Sequence, residues 1–408
     1  AAYYYNQGEA WGKGVAVSNH ASSGAWAAAG GIGTVSAVNA DSYDPTGRII
    51  PQVYHALTRR DRQYTLWSNG EPMAVFPDPL AAAAAVHFMM AQQPRPRRIL
   101  MIGGNPVDEL REILRYPAER VVVLEPDAGV GALLRERTPE LLEGVWDDPR
   151  VRWEPRDAPA WLRDRTECHD AIWLQGGDPV TLVANRFYTR EFFRLLKARL
   201  DPEGVLILSL ETSERLESAA GRKLASVAAA LESEFPEVIY LPGSPTRIWA
   251  AVRPGRLIRD REELARAWER AEIATPHFHS DYFRMTDGLD PAKWAAVRRR
   301  VASISAPMNT VLRPQAAFES LRMRLFWAGE APWMERGIGM LERYAERLAR
   351  ALRHPGFWIG VAAALAAGWG VMRRWAAARS AGRRLAAGYS VLTIGGVGMT
   401  LELMIVFG

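Results

Sequence analysis

A doubly wound α/β domain with a C-terminal membrane anchor is the fold this sequence predicts. Short apolar runs at Arg98–Ile102, Val121–Leu124, Ala171–Leu174 and Val205–Leu210 are separated by helical stretches. That alternation is the pattern of a mostly parallel sheet covered on both faces. Hydrophobic residues make up 48% and charged residues 24% of the 408, so a large core can be buried. Gly356–Met372 and Leu385–Leu401 each run 17 residues without a charged side chain, close to the ~20 that a bilayer span needs.

Taken in order, residues 1–45 read as a tether. Residues 14–40 carry no charge but are mostly Ala, Gly and Ser, too weakly apolar for a span. Tyr3, Tyr4 and Tyr5 suit a membrane interface. Residues 46–96 form an N-terminal β element and a connecting helix. Gln63–Trp67 reads as a strand entering a tight turn at Ser68-Asn69-Gly70, and alanines 81–85 open a helix that Pro94 and Pro96 end. Residues 97–257 hold the sheet, with the turn Gly103-Gly104, a helix through Leu114, and further helices at Arg190–Leu200 and Gly221–Glu234. Residues 258–330 form a helical extension with helices at Arg261–Ile273 and Pro291–Ser303. Residues 331–355 read as a basic juxtamembrane helix, and 356–408 as two transmembrane helices joined by the Arg-rich loop 373–384.

The net charge of +5 is uneven. Residues 331–408 hold ten Arg and four Glu, which leaves −1 on the first 330. A nucleic-acid binder would carry its basic excess on the folded body, so that class is set aside. Cys168 is the only cysteine, which excludes an intrachain disulfide. The chain starts at Ala1 without a methionine and stops at Gly408 inside an apolar run, and so reads as a piece of a longer polypeptide.

In open α/β sheets, ligands bind beyond the carboxyl ends of the strands. Ile99–Ile102 runs into Gly103-Gly104, where missing side chains admit a ligand to the backbone. Val121–Leu124 ends in Glu125, placed to accept both hydroxyls of a ribose. Asp157 follows the strand Val151-Arg152-Trp153, suited to an adenine amino group. Together these point to a nucleoside. His277 and His279 lack a third metal ligand, so no metal site is assigned. Cys168 and His169 are adjacent and not placed as nucleophile and base. Trp146, Trp153 and Trp161 are read as packing anchors.

At these residues the sequence resembles the spermidine synthase (polyamine aminopropyltransferase) family, specifically its membrane-fused bacterial members. The likeness runs from Gln63 to Ala328 and into both apolar runs. It rests on Tyr64–Gly70, on Arg97–Gly104 followed by Leu110-Arg111-Glu112, on Asp148-Pro149-Arg150-Val151 and on Asn185–Phe193. Asn309-Thr310, Arg313-Pro314 and Gly398–Glu402 resemble motifs of the fused members. The resemblance implies a Rossmann-like, methyltransferase-type sheet. It also implies aminopropyl transfer from decarboxylated S-adenosylmethionine to an amine, with Gly103, Gly104, Glu125 and Asp157 holding the nucleoside.

Three departures lie on the amine side. The family's glycine loop carries an Asp where this chain has Pro106. Its Tyr-His-Glu acceptor motif aligns with Ala81-Ala82-Ala83. Its base position is Gln175, and an amide takes no proton at neutral pH. Asp178 is retained and can orient a cation. Removing a general base alone forfeits about 10²–10⁴-fold in rate.

The sequence therefore predicts a catalytically degenerate member, held in a bacterial inner membrane as a structural or ligand-binding subunit among other membrane-protein subunits and lipid. Its residual ligand would be decarboxylated S-adenosylmethionine or methylthioadenosine. The alternative is an active aminopropyltransferase or another S-adenosylmethionine-type transferase. Five arginines in loop 373–384 balance five between 336 and 353, so the positive-inside rule does not choose a side. The missing amine-side residues tip the balance slightly to the periplasm, away from cytoplasmic adenosylated donors.

Overall fold

The computed structural model describes residues 55–68, 71–125, 128–214, 216 and 218–327, with helical positions at 340, 343 and 347. The chain divides into two units, residues 1–78 with 127–142, and residues 79–126 with 143–408.

In the smaller unit, β1 (His55–Arg60), β2 (Gln63–Ser68) and β3 (Glu71–Phe76) form an antiparallel sheet in chain order. Ser68 pairs with Glu71, so β2 and β3 meet across the predicted turn, whose Asn69 and Gly70 lie outside the described residues. β1 has no strict polar alternation and was not expected. Its Thr58 hydroxyl takes the indole N–H of Trp67 at 2.8 Å, and the β1–β2 ladder runs from His55↔Ser68 to Arg60↔Gln63. Two short helices, α3 (Ala128–Arg137) and α4 (Pro139–Leu142), belong to the same unit.

The larger unit carries a seven-stranded sheet. Its strands are β4 (Arg98–Gly103), β5 (Arg120–Leu124), β6 (Val151–Glu154), β7 (His169–Gln175), β8 (Leu200–Leu210), β9 (Glu237–Leu241) and β10 (Thr246–Ala251). Their spatial order is β6-β5-β4-β7-β8-β10-β9. β4 through β8 pair in parallel, and β10 runs antiparallel between β8 and β9. The order reverses on either side of β4, which makes this a Rossmann-like sheet of the methyltransferase type with its switch point beside β4. The sequence did not predict β9 and β10.

Alternation along the strands builds two cores. Ile99, Met101, Val121, Val123, Trp173, Ile207 and Trp249 face one way. Leu100, Ile102, Val122, Leu124, Leu174, Leu208 and Ile248 face the other. On the first face lie α1 (Pro79–Met90), α2 (Asp108–Ile113), α9 (Arg261–Glu269) and α10 (Asp281–Met285). On the second lie α5 (Ala158–Asp164), α7 (Arg190–Lys197) and α8 (Ser218–Glu232). The helix α11 (Pro291–Ser303) gives Trp294 to one core and Val297 to the other. A strand buried on both faces reads as a continuous apolar run, which is why β4, β5, β7 and β8 were visible.

Helix ends needed correction. α7 stops at Lys197 because Leu200 already pairs with His169 and opens β8. α9 stops at Glu269, and Glu272 beyond it takes φ +54°. Among the described residues no helix is long and apolar enough to cross a membrane. The runs 356–372 and 385–401 lie outside those residues, as do the tether 1–45 and the juxtamembrane stretch 331–355 except three positions.

Candidate functional site

The parallel strands deliver every predicted site residue to the carboxyl edge of the large sheet. β4 ends in Gly103, paired with Gln175 at the end of β7. Gly103 (φ +67°) and Gly104 (φ +87°) both take the left-handed conformation. A Cβ at Gly103 would collide with the Gln175 carbonyl, and one at Gly104 would lie 2.6 Å from a Glu109 oxygen. Only glycine fits this turn. Asn105 braces it, its side-chain oxygen accepting the backbone N–H groups of Val107 and Asp108 at 3.0 Å each. Trp146, tilted by 32° against Trp153 with ring centres 4.2 Å apart, donates its indole N–H to the Pro106 carbonyl at 3.0 Å.

On the side predicted to hold a nucleoside, Glu125 follows β5 directly, is buried, and donates its backbone N–H to the Glu154 carbonyl at 3.2 Å. Asp157 precedes α5, and both of its carboxylate oxygens accept from the Arg186 guanidinium, Nη1 at 3.1 Å from Oδ2. A carboxylate has about four lone-pair sites, so a further donor can still be accepted. Arg186 was not singled out from the sequence. It lies in the one-turn 3₁₀ helix Arg186–Tyr188 after α6 (Leu182–Asn185), a position that spacing alone does not link to Asp157.

On the side that the resemblance assigns to the amine, the protein's own groups bond to one another. The Gln175 amide oxygen accepts from the Ser209 hydroxyl. Tyr188 is buried, with its hydroxyl 2.7 Å from the Gly177 carbonyl and 3.0 Å from that of Ser209. Burial pushes its phenol well above the ordinary tyrosine range, so it is a permanent brace for the loop after β7. Asp178 in that loop is fully engaged. One oxygen accepts from Lys223 Nζ at 3.0 Å and Ser320 Oγ at 2.7 Å, the other from Arg324 Nη2 at 3.2 Å. Lys223 projects from α8 with no solvent exposure, while Ser320 and Arg324 come from α12 (Gln315–Trp327). Burial pulls the Lys223 ammonium below the ordinary lysine value, and Asp178 opposes that shift.

A second cluster sits on the α1 face of the same edge. Glu109 Oε2 accepts the backbone N–H of Asn105 at 3.0 Å and the indole N–H of Trp173 at 3.1 Å. Burial raises its carboxyl above the ordinary glutamate value, and these donors and the charge of Arg247 oppose the shift. Arg247 on β10 pairs in register with Ser209, the residue that holds Gln175. Sequence reading missed Lys223, Ser320, Arg324, Glu109 and Arg247. The one available signal was Lys223, a cation set in the Ala-rich run 219–230.

Other candidates separate. His279 is exposed and pairs with Asp281 at 3.1 Å, and His277 lies across the buried Phe278 from it in the chain. Among the described residues no three His, Cys, Asp or Glu side chains are grouped to hold a metal. Cys168 is half-buried, whereas His169 is buried against Trp161.

The most specific sequence motifs are structural ties. Arg150 grips Asp148 with two hydrogen bonds of 2.9 and 2.7 Å and donates to the Leu114 carbonyl at 2.9 Å. Thr189 caps α7. Asn309, fully buried, donates to the Tyr188 carbonyl at 2.9 Å and accepts the Ala316 N–H at 3.1 Å, which seats α12.

Residues 82–252 match the family model for the spermine/spermidine synthase domain. A polyamine aminopropyltransferase of a Synechococcus strain is 34% identical over 169 residues, which is 39% of this chain and 53% of that protein. The one from Archaeoglobus fulgidus is 29% identical over 213 residues, 52% of this chain and 76% of that protein. The chain thus spans about half the length of the first of these relatives and three quarters of the second. The crystal structure of spermidine synthase from Thermotoga maritima aligns with a TM-score of 0.45 at 17% identity, covering 62% of this chain and 88% of that one.

Proposed function

Because the chain belongs, over residues 82–252, to the spermine/spermidine synthase family, we propose that it is a nucleoside-binding domain that no longer transfers an aminopropyl group. One observation carries this reading, the capture of Asp178 by Lys223, Ser320 and Arg324. A diammonium substrate needs free carboxylates and a neutral attacking amine, hence a base close to the nitrogen. The base position holds Gln175, and the carboxylate of Asp178 already binds an ammonium from within the chain. Gly103, Gly104, Glu125 and Asp157 keep the arrangement suited to an adenosine moiety such as that of methylthioadenosine.

The work left to such a domain is structural or ligand-binding. The charge-free runs 356–372 and 385–401 would fix it to a membrane beside other subunits, with the domain on the periplasmic face, away from adenosylated donors. A working transferase has one observation in its favour, the carboxyl of Glu109, which burial raises above the ordinary glutamate value and so makes a better proton acceptor than an ordinary carboxylate.

Calorimetry with methylthioadenosine on the full chain tests the nucleoside half of the reading. Saturable binding is expected, and Glu125→Ala should weaken it at least tenfold, since hydrogen bonds to a charged acceptor are worth ~1.5–3 kcal/mol each. Absence of binding to the folded wild-type chain would reject it.

A further inference from the structure

The first 330 residues carry a net charge of only −1, yet the fold sorts that charge by layer. On one face of the large sheet, α1, α2, α9 and α10 hold seven Asp and Glu against four Arg. On the other, α5, α7, α8 and α12, with α11 packed against α8, hold twelve Arg and Lys against four Asp and Glu. One helical layer is therefore acidic by three charges and the other basic by eight.

The basic excess is concentrated on α11. From Pro291 to Ser303 this helix has no acidic residue, and Arg298, Arg299 and Arg300 are all exposed. Among the described residues none of the three guanidinium groups makes a hydrogen bond or an ion pair. Arg298 has one electrostatic neighbour, the phenol of Tyr240, whose hydroxyl donates to Glu232 at 2.9 Å. Other cations of the layer are neutralised within the fold. Arg190 and Arg194 share Glu234, Arg222 and Arg322 share Glu319, and Lys223 and Arg324 share Asp178. The helix dipole favours a cation in the last turn, which accounts for Arg300 but not for Arg298 and Arg299.

The place of α11 says which partner these charges suit. α12 packs on the same helix, α8, and the chain continues from α12 towards the charge-free runs 356–372 and 385–401. The layer with the unpaired arginines is thus the layer that carries the last helix before the proposed membrane spans. Beside the arginines, α11 exposes Ala295, Ala296 and Ala302, whose short side chains hold no surface away from the guanidinium groups. An array of guanidinium groups on an open helix face suits many phosphate headgroups at once.

We propose that this basic layer, through Arg298, Arg299 and Arg300, docks on an anionic phospholipid surface and so sets which side of the domain faces the bilayer. The inference rests on the membrane anchoring proposed above and adds the domain's orientation to it. Each arginine at such a surface strengthens the contact about fivefold, and three strengthen it about a hundredfold. The attraction reaches no further than a Debye length, so salt weakens it.

The test reconstitutes the full chain in nanodiscs of phosphatidylcholine, with and without phosphatidylglycerol, and follows backbone hydrogen exchange. In the anionic discs at low salt, α11 exchanges at least about fivefold more slowly than in the neutral discs. High salt removes the difference, and so does R298Q/R299Q/R300Q, whose exchange elsewhere matches wild type. α10, on the acidic layer, exchanges alike in both discs. Equal exchange of α11 in the two discs would overturn the proposal. Slowing that survives in the variant, slowing of α10 instead, or equal slowing of α11 by duplex DNA would do the same. A chain that enters neither disc refutes the anchoring itself and this orientation with it, so the two failures are told apart.

Discussion

His169 shows how a single buried group sets a pH limit. It lies at the start of β7 with 1% exposure, against Trp161, and neither ring nitrogen has a hydrogen-bond partner among the described residues. Burial lowers its affinity for a proton below the ordinary histidine value of 6.5. Below pH 6.5 the unfolded chain takes up a proton that the folded chain refuses, so stability falls as pH falls through that window. His169→Phe should remove this acid limb and add ~1–3 kcal/mol at neutral pH, since two unsatisfied nitrogens are replaced by an apolar ring. Urea unfolding of both proteins between pH 5 and 8 checks it, and parallel curves would refute it. The sequence marked His169 only as one of an adjacent Cys-His pair. Its isolation depends on Trp161 and on β8, which no spacing rule connects to it.

Elements were legible in proportion to how far one strand or helix accounts for its own sequence. β4, β5, β7 and β8 are apolar on both faces, and α11 runs from Pro291 to Ser303 as its N-terminal Pro suggests. β9 and β10 escaped because β10 inserts antiparallel between β8 and β9, a choice made by pairing with residues some forty positions away. The role of α12 was equally hidden. Its Glu319 is fully buried, takes two hydrogen bonds from Arg222 of α8 at 3.0 and 2.9 Å, and a third from Arg322 at 2.6 Å. Glu319→Ala removes the acceptor of these guanidinium groups, which water still reaches in part, and should cost about 1.5–3 kcal/mol, the worth of hydrogen bonds to a charged group. Denaturant unfolding reads the change. A loss under 1 kcal/mol would mean that apolar contacts alone hold α12 on α8.

At the scale of the molecule, the half of the edge proposed to hold a nucleoside could be read from strand ends because Gly103, Glu125 and Asp157 each follow a visible strand. The other half could not. Asp178 meets Lys223 from 45 residues away and Ser320 from 142, and Arg247 faces Glu109 from the unpredicted β10. The sequence showed which family groups are missing, Pro106, Gln175 and the alanines at 81–83. The fold places the Lys223 ammonium on the carboxylate of Asp178. Aminopropyl transfer is therefore the activity to measure, with the full chain, decarboxylated S-adenosylmethionine and putrescine, following spermidine by mass spectrometry. No spermidine above the uncatalysed background is expected, in wild type or in Gln175→Asp, since Pro106, the alanines and the Lys223–Asp178 pair all remain. Multiple turnovers by the wild-type chain would contradict the account.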